Sequence, residues 1–308
     1  MSPGPDPLRW SVGLVGYGEV GRILAEDLRA RGVTVGAYDV KLGSPDGAAM
    51  ARHAGGLGVR LYAGHEQLAR AADLVVSAVT ASQAVRVAQD CAPGVRDGAF
   101  VLDLNSASPG AKAEAFDAVQ AVGGRYVEGA VMTSVPPHRS AVPLLLGGPH
   151  AAALQGPLTA LGFAGRVYDA RLGVASATKM CRSVLVKGLE ANLVECLTTA
   201  RAYGVEDAVL ASLYETYPGL DWEKQSAYVF QRVIEHGRRR SEEVLEVAQT
   251  VREIGLTPWS AQGTAARQAW VADLSDQGTF GPRGTAEFAR CTDWRVEADR
   301  ILRHITKE

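Results

Sequence analysis

The 308-residue chain predicts an α/β protein: a doubly wound, mostly parallel sheet followed by an all-helical domain, the two joined through a long helix. Three observations carry that expectation. Up to about residue 170, short apolar runs alternate with helix-length amphipathic stretches, the pattern of strands covered on both faces. After Leu172 the pattern changes: no proline occurs through Gly204, and only Gly173 and Gly188 interrupt a helical stretch. The length itself suits two domains of about 150 residues each.

Candidate strands in chain order are Ser11–Val15, Thr34–Asp39, Leu74–Val79, Phe100–Asn105, Arg125–Val131, Val142–Gly147 and Arg166–Tyr168. Helical stretches lie near 19–31, 82–90, 109–122 and 150–161. Apolar runs separated by connections of helix length specify strand–helix–strand units, hence a parallel sheet. The expected domains are residues 8–170 and 171–308, with a long helix over about 172–203. Thirty helical residues span about 45 Å, more than one small domain covers, so this helix links two domains or packs in a dimer. The remainder reads as further helices punctuated at Pro218-Gly219, Gly255–Pro258 and Gly278–Gly284, with no β-alternation and no internal repeat.

Composition narrows the function. With 47% hydrophobic and 21% charged residues the chain builds a packed core, which excludes disordered, fibrous and disulfide-stapled classes. Charge is balanced, 32 basic against 34 acidic residues, and locally so: 14 and 15 in residues 1–170, 18 and 19 in the rest. A nucleic-acid or anionic-membrane partner calls for concentrated positive charge, so neither is expected. The opening residues lack the pattern of a signal peptide, and no apolar run reaches the roughly 20 residues that span a bilayer. Cys91, Cys181, Cys196 and Cys291 are scattered, without a C-x-x-C pair or a histidine at metal spacing. They read as buried or partly buried free thiols in a reducing cytoplasm, and no metal site is expected. Only six basic residues are lysines (Lys41, Lys112, Lys179, Lys187, Lys224 and Lys307), which makes each amine worth following, because arginine cannot release its proton near neutral pH.

The first strand runs directly into Gly16-Tyr17-Gly18-Glu19-Val20-Gly21, and a helix follows. In such a loop the first glycine permits the tight turn, the second lets backbone approach a pyrophosphate, and the third allows close helix–strand packing. The N–H groups at the helix start then face the anion. Asp39 ends the second strand 18 residues after Gly21, placed to accept hydrogen bonds from ribose hydroxyls and to repel a 2′-phosphate. This is a Rossmann-type dinucleotide site favouring NAD over NADP, although Lys41 and Arg60 keep NADP open. Val79 and Thr80, at the end of the third strand candidate, join the cofactor-binding set.

Four segments in order resemble the β-hydroxyacid dehydrogenase family, which includes 3-hydroxyisobutyrate and 6-phosphogluconate dehydrogenases. They are Val12 through Gly21; Leu102-Asp103-Leu104-Asn105-Ser106-Ala107-Ser108-Pro109; Glu128 through Ser134 running on to Pro143–Gly148; and Gly173-Val174-Ala175-Ser176-Ala177-Thr178-Lys179. The C-terminal part, including Asp221-Trp222-Glu223-Lys224, is similar to a helical subfamily described only as phosphogluconate-dehydrogenase-like. The resemblance implies that Asn105 and Ser106 lie beside the nicotinamide, the alternative being a strand-end cap. It implies that Thr133 and Ser134 belong to the substrate loop and that Lys179 is the catalytic lysine. Three departures stand out. The family's Ser-Gly-Gly loop becomes Thr133-Ser134-Val135-Pro136-Pro137, its Asn four residues after the lysine becomes Ser183, and the histidine that 6-phosphogluconate dehydrogenase places before it becomes Arg182.

Oxidising an alcohol with NAD requires hydride transfer to the cofactor and a group that takes the hydroxyl proton. An amine serves when desolvation or nearby positive charge lowers its pKa. Arg182 is the i+3 neighbour of Lys179 and acts in that direction; otherwise it ion-pairs with Glu190 or within a dimer. At 100° per residue Ser183 lies about 40° round the helix from Lys179 and shares its face, positioned to orient the reacting oxygen. Lys187, about 80° off and about 12 Å along the axis, reads as a neighbour's partner or a substrate-edge contact. His138 in the substrate-loop region reads as incidental, the run Arg238-Arg239-Arg240 as a solvated, salt-bridged face, and Trp259, Trp270 and Trp294 as helical core or dimer contact. The expected activity is hydride transfer between nicotinamide and a small, anionic β-hydroxyacid-like alcohol or its carbonyl form, by a homodimer. The alternatives are an imine reductase-like enzyme, which Lys179 disfavours because those enzymes place Asp or Tyr as proton donor, and a dinucleotide-binding protein that has lost catalysis.

Overall fold

The computed structural model describes residues 6–45, 47–285 and 288–306; Lys307 lies outside them. The chain separates into two compact units, Met1–Cys181 and Arg182–Glu308, and the division falls inside a 30-residue helix.

The first unit is built on eight strands: β1 (Ser11–Val15), β2 (Thr34–Tyr38), β3 (Arg60–Leu61), β4 (Leu74–Ser77), β5 (Phe100–Asp103), β6 (Arg125–Val131), β7 (Leu144–Gly147) and β8 (Gly165–Asp169). Their order is β3-β2-β1-β4-β5-β6-β7-β8, parallel throughout except for the β6–β7 pair. All residues of β4, β5 and β7 are buried, as sheets flanked by helices on both faces require. The helices are α1 (Glu19–Ala30), α2 (Gly47–Leu57), α3 (His65–Ala71), α4 (Ala84–Cys91), α5 (Pro109–Gln120), α6 (Val135–His138) and α7 (Ala151–Ala160). α1 turns Leu24, Ala25 and Leu28 to the core beside Val12, Leu14 and Val76. α5 starts where Ser108 accepts from the Ala111 N–H at 3.2 Å and Pro109 takes the first helical position, which needs no N–H. α8 (Val174–Tyr203) carries the chain into the second unit.

That unit consists of the rest of α8 with α9 (Glu206–Thr216), α10 (Trp222–Glu253), α11 (Trp259–Asp276) and α12 (Trp294–Ile305), and among the described residues it contains no strand. Its core joins Leu193, Leu197, Phe230, Val233, Phe280 and Trp294. Asp221 and Asp293 cap α10 and α12 through the N–H groups of Lys224 and Arg295.

Several local expectations need correction. α2 is a full helix that glycines 47, 55 and 56 disguise, since glycine in a helix interior is normally unfavourable. The two-residue β3 and seven-residue α3 are too short to show a period. Of the three arginines in the run, only Arg238 and Arg239 are exposed, paired with Asp273 and Asp276 and with Glu243; Arg240 is buried against Glu190. Trp294 is core, whereas Trp259 is exposed. Cys181 and Cys196 are exposed rather than buried, and all four thiols are free.

Candidate functional site

The sheet order reverses direction between β1 and β4, and ligands of doubly wound sheets bind outside the carboxyl ends of the strands at that point. The loops that leave β1, β4 and β5 therefore lie side by side there. Gly16 adopts φ +91°, and a Cβ on it would stand 2.3 Å from the Ala78 carbonyl oxygen, so only glycine lets the β1 loop pass under the end of β4. A Cβ on Gly21 would stand 2.0 Å from the Gly16 oxygen, which explains the tight first turn of α1. Gly18 caps α1 with no side-chain hydrogen bond and with open space where its Cβ would be. The first N–H groups of a 12-residue helix are thus left without a side-chain acceptor beside a turn that backbone alone lines, which fits a dinucleotide pyrophosphate. Glu19 is exposed at the first position of α1, and Val20 packs against the core.

Asp39 is fixed by backbone: its carboxylate accepts from the Tyr17 N–H at 2.7 Å and from the Lys41 N–H at 2.8 Å. Both oxygens keep further lone pairs for ribose hydroxyls. The Lys41 side chain is exposed, and the Arg60 guanidinium lies 4.9 Å over the Tyr62 ring. Asn105 staples two loops, accepting from the Val79 N–H at 2.7 Å and donating to Ser77 Oγ at 2.9 Å. Those are strand-end cap contacts, and they use one donor and one acceptor position of its amide. Thr80 is exposed next to this staple.

The adjoining Ser106 has a different partner. Lys179 Nζ donates to Ser106 Oγ at 2.6 Å, across 73 residues of sequence. Beneath this turn, Asp103 is buried and accepts from Lys112 Nζ at 2.9 Å, from the Tyr126 hydroxyl at 2.7 Å and from the Asn105 N–H at 2.8 Å. Burial and the neighbouring Asp103 push the Tyr126 hydroxyl pKa well above its ordinary value, so it stays a donor. At the start of α8, Glu128 of β6, fully buried, accepts from the N–H groups of Gly173, Ala175 and Ser176 at 2.7, 3.3 and 3.2 Å.

Gly16, Tyr17, Asp39, Val79, Asn105, Ser106 and Lys179 are thereby linked through neighbouring contacts of the first unit. Thr133 is exposed after β6, and Ser134 precedes α6 without a side-chain capping bond. Ser183, buried, and Arg182, exposed, continue α8 within the second unit. Arg182 does not pair with Glu190, whose carboxylate Arg240 and Arg232 occupy. Lys187 is likewise buried against Glu243, and desolvation lowers its pKa. His138 is exposed. The residue after it, Arg139, reaches Glu26 and Asp27 of α1 at 2.7 Å each, and Glu26 continues through His53 to the Tyr17 hydroxyl.

Sequence reasoning assigned no role to Glu128, Lys112 or Arg139. One signal for Glu128 was available: a lone acid inside the otherwise apolar strand Arg125–Val131 needs a partner when buried.

Residues 11–159 match the NAD binding domain of 6-phosphogluconate dehydrogenase, and residues 200–271 match a domain of unknown function, DUF1932. The chain belongs to the β-hydroxyacid dehydrogenase and 6-phosphogluconate dehydrogenase-like family. Among solved structures, a conserved hypothetical protein of Sinorhizobium meliloti is 34% identical with TM-score 0.72, over 94% of this chain and 96% of that one. A conserved protein of unknown function, described as structurally similar to 3-hydroxyacid dehydrogenases, is 29% identical with TM-score 0.66, over 86% and 99%. The mitochondrial 3-hydroxyisobutyrate dehydrogenase of Drosophila melanogaster is 23% identical over 69% of this chain and 65% of its own length. The family binds NAD(P), and its fold, a mostly parallel sheet followed by a helical region, is the one found here.

Proposed function

We propose that this chain is an oxidoreductase that moves a hydride between a nicotinamide dinucleotide and a small polar β-hydroxyacid or its carbonyl form, with Lys179 as general acid/base. The observation that carries this reading is the 2.6 Å bond from Lys179 Nζ to Ser106 Oγ, at the carboxyl end of β5 beside the glycine-rich loop. When bound, the nicotinamide supplies the hydride acceptor for oxidation and the donor for reduction. Proton transfer belongs to the protein: the neutral Lys179 amine takes the hydroxyl proton during oxidation, and the ammonium returns it to the carbonyl oxygen during reduction. Ser106 aims the amine. Ser183, one turn further along α8, is assigned to orient the reacting oxygen, and Arg182 or the Thr133-Ser134 loop to hold the substrate's anionic group. The β-hydroxyacid class draws support from the 3-hydroxyisobutyrate dehydrogenase relative. NAD is preferred on the general ground that an acid at the end of the second strand, here Asp39 held by the Tyr17 N–H, repels a 2′-phosphate. We further assign a homodimer in a reducing compartment, consistent with four free thiols.

A panel of β-hydroxyacids, aldehyde-acids and imines, run with both cofactors and followed by NADH or NADPH absorbance, tests this reading. It predicts turnover of at least one β-hydroxyacid, faster with NAD, and a roughly tenfold loss of NAD affinity in Asp39→Ala, the scale of a hydrogen bond to a charged group. Amine formation from imines alone, or tight NADH binding without turnover at any pH, would replace it with the imine reductase or the non-catalytic reading.

A further inference from the structure

Glu128 is a buried carboxylate that forms no ion pair among the described residues. A charge withdrawn from water is costly unless it is paired or hydrogen-bonded. Its compensation comes from the first turn of α8: Oε1 accepts from the N–H groups of Gly173 and Ala175, and Oε2 from Ser176. The carboxylate thus occupies the positive end of a 30-residue helix, where an anion is favoured. A helix is usually capped by the residue preceding it; this cap comes from a strand 45 residues upstream. The neighbouring strand is built around it. Gly147 stands opposite Glu128 in the antiparallel β6–β7 ladder, and a Cβ there would lie 2.3 Å from Glu128 Oε1.

Lys179 follows three residues after Ser176, about 4.5 Å further along the axis. A carboxylate clamped to three donors within one turn fixes both the rotation of that turn and the charge beside it. We infer that Glu128 is a positioning residue for Lys179: by seating the first turn of α8 on β6 it aims the amine at Ser106, and its negative charge sets the proton affinity of that amine. The catalytic part of this inference rests on Lys179 being the acid/base; the placement of the amine does not.

Other charged or titratable groups face this segment. They are Asp103 with Lys112 and Tyr126 beneath the Ser106 turn, Tyr168 of β8 against Thr178, the Asp169–Arg171 pair before α8, and Arg182 on α8 itself. Replacing Glu128 removes one anion from this set and leaves the helix end uncompensated. Both effects disfavour the ammonium.

With only six lysines, reductive ¹³C-methylation of the full chain gives a tractable NMR titration, with Lys179 assigned by its loss in Lys179→Arg. In Glu128→Gln the Lys179 midpoint moves to lower pH by about one unit. In Glu128→Asp, which keeps the charge, it returns most of the way. The acid limb of the turnover profile follows the midpoint. If Glu128→Gln does not fold, Gly147→Ala, which displaces the carboxylate by crowding, carries the same test in the same direction. A midpoint that stays in place, or moves upward as an unwound helix start would give, overturns the proposal. Because the midpoint is read without substrate, a catalytic failure of Lys179 is separately visible: turnover then survives Lys179→Met while the Glu128 shift remains.

Discussion

Arg139 shows how much a single residue can hold. It adopts φ 55° and ψ −137°, a region almost reserved for glycine and costing about 1–3 kcal/mol. Its guanidinium meets Glu26 and Asp27, and the Ser140 N–H reinforces Asp27 at 3.0 Å. The Arg139 guanidinium is exposed, so water and salt screen both pairs and they contribute little. Strain therefore outweighs or matches attraction, and Arg139→Gly is expected to melt at or above the native temperature, while Arg139→Ala, which keeps the strain and loses the pairs, melts below it. Thermal scans order the three proteins. The pH dependence has a defined sign. The Arg139 hydrogen bond holds the Glu26 carboxyl below its ordinary value of 4.5; for Asp27, burial pushes upward but bonds from Ser140 and Arg139 outweigh it. Carboxyls depressed in the folded state stabilise above their unfolded values and lose that contribution as pH falls through the folded ones. The native advantage over Arg139→Ala thus shrinks as pH drops from about 5 to about 3.

At the scale of elements, the β5–α5 connection governs the site. Strand β5 delivers Asp103 and the Asn105 staple, and α5 returns Lys112 to hold Asp103 from below. Lys112 shows why amine counting alone misleads: it looks like any lysine of an amphipathic helix, yet it is 1% exposed. Lys112→Met strands a buried carboxylate, and removing one member of a buried pair costs about 3–5 kcal/mol. Urea denaturation should show a loss of that order, whereas Lys112→Met paired with Asp103→Asn should recover part of it. The helix α8 is the complementary element, with the Glu128 cap at its start and Lys179 on its second turn.

Across the whole molecule, the sheet, the glycine-rich loop, Asp39 and the helical second unit were legible in the sequence because periodicity and turn chemistry are local. The contact between Ser106 and Lys179 was legible only through resemblance, since no spacing rule joins residues 73 apart. Glu128 and Gly147 escaped because a cap supplied from a neighbouring strand leaves no signature next to the helix it caps. Arg240 misled for the same reason: its run looks solvated, and only the packing of α10 shows it buried against Glu190. The proposed homodimer makes a prediction for the molecule in solution. Light scattering at micromolar concentration should return twice the 32.5 kDa chain mass.

The central claim is that the Lys179 amine carries the proton. Its most direct test is Lys179→Met, assayed for turnover on the best substrate of the panel with NADH affinity measured alongside. The account predicts turnover lower by roughly a hundredfold or more, the scale of general acid–base catalysis, with NADH binding nearly unchanged. Turnover at the native rate would contradict it.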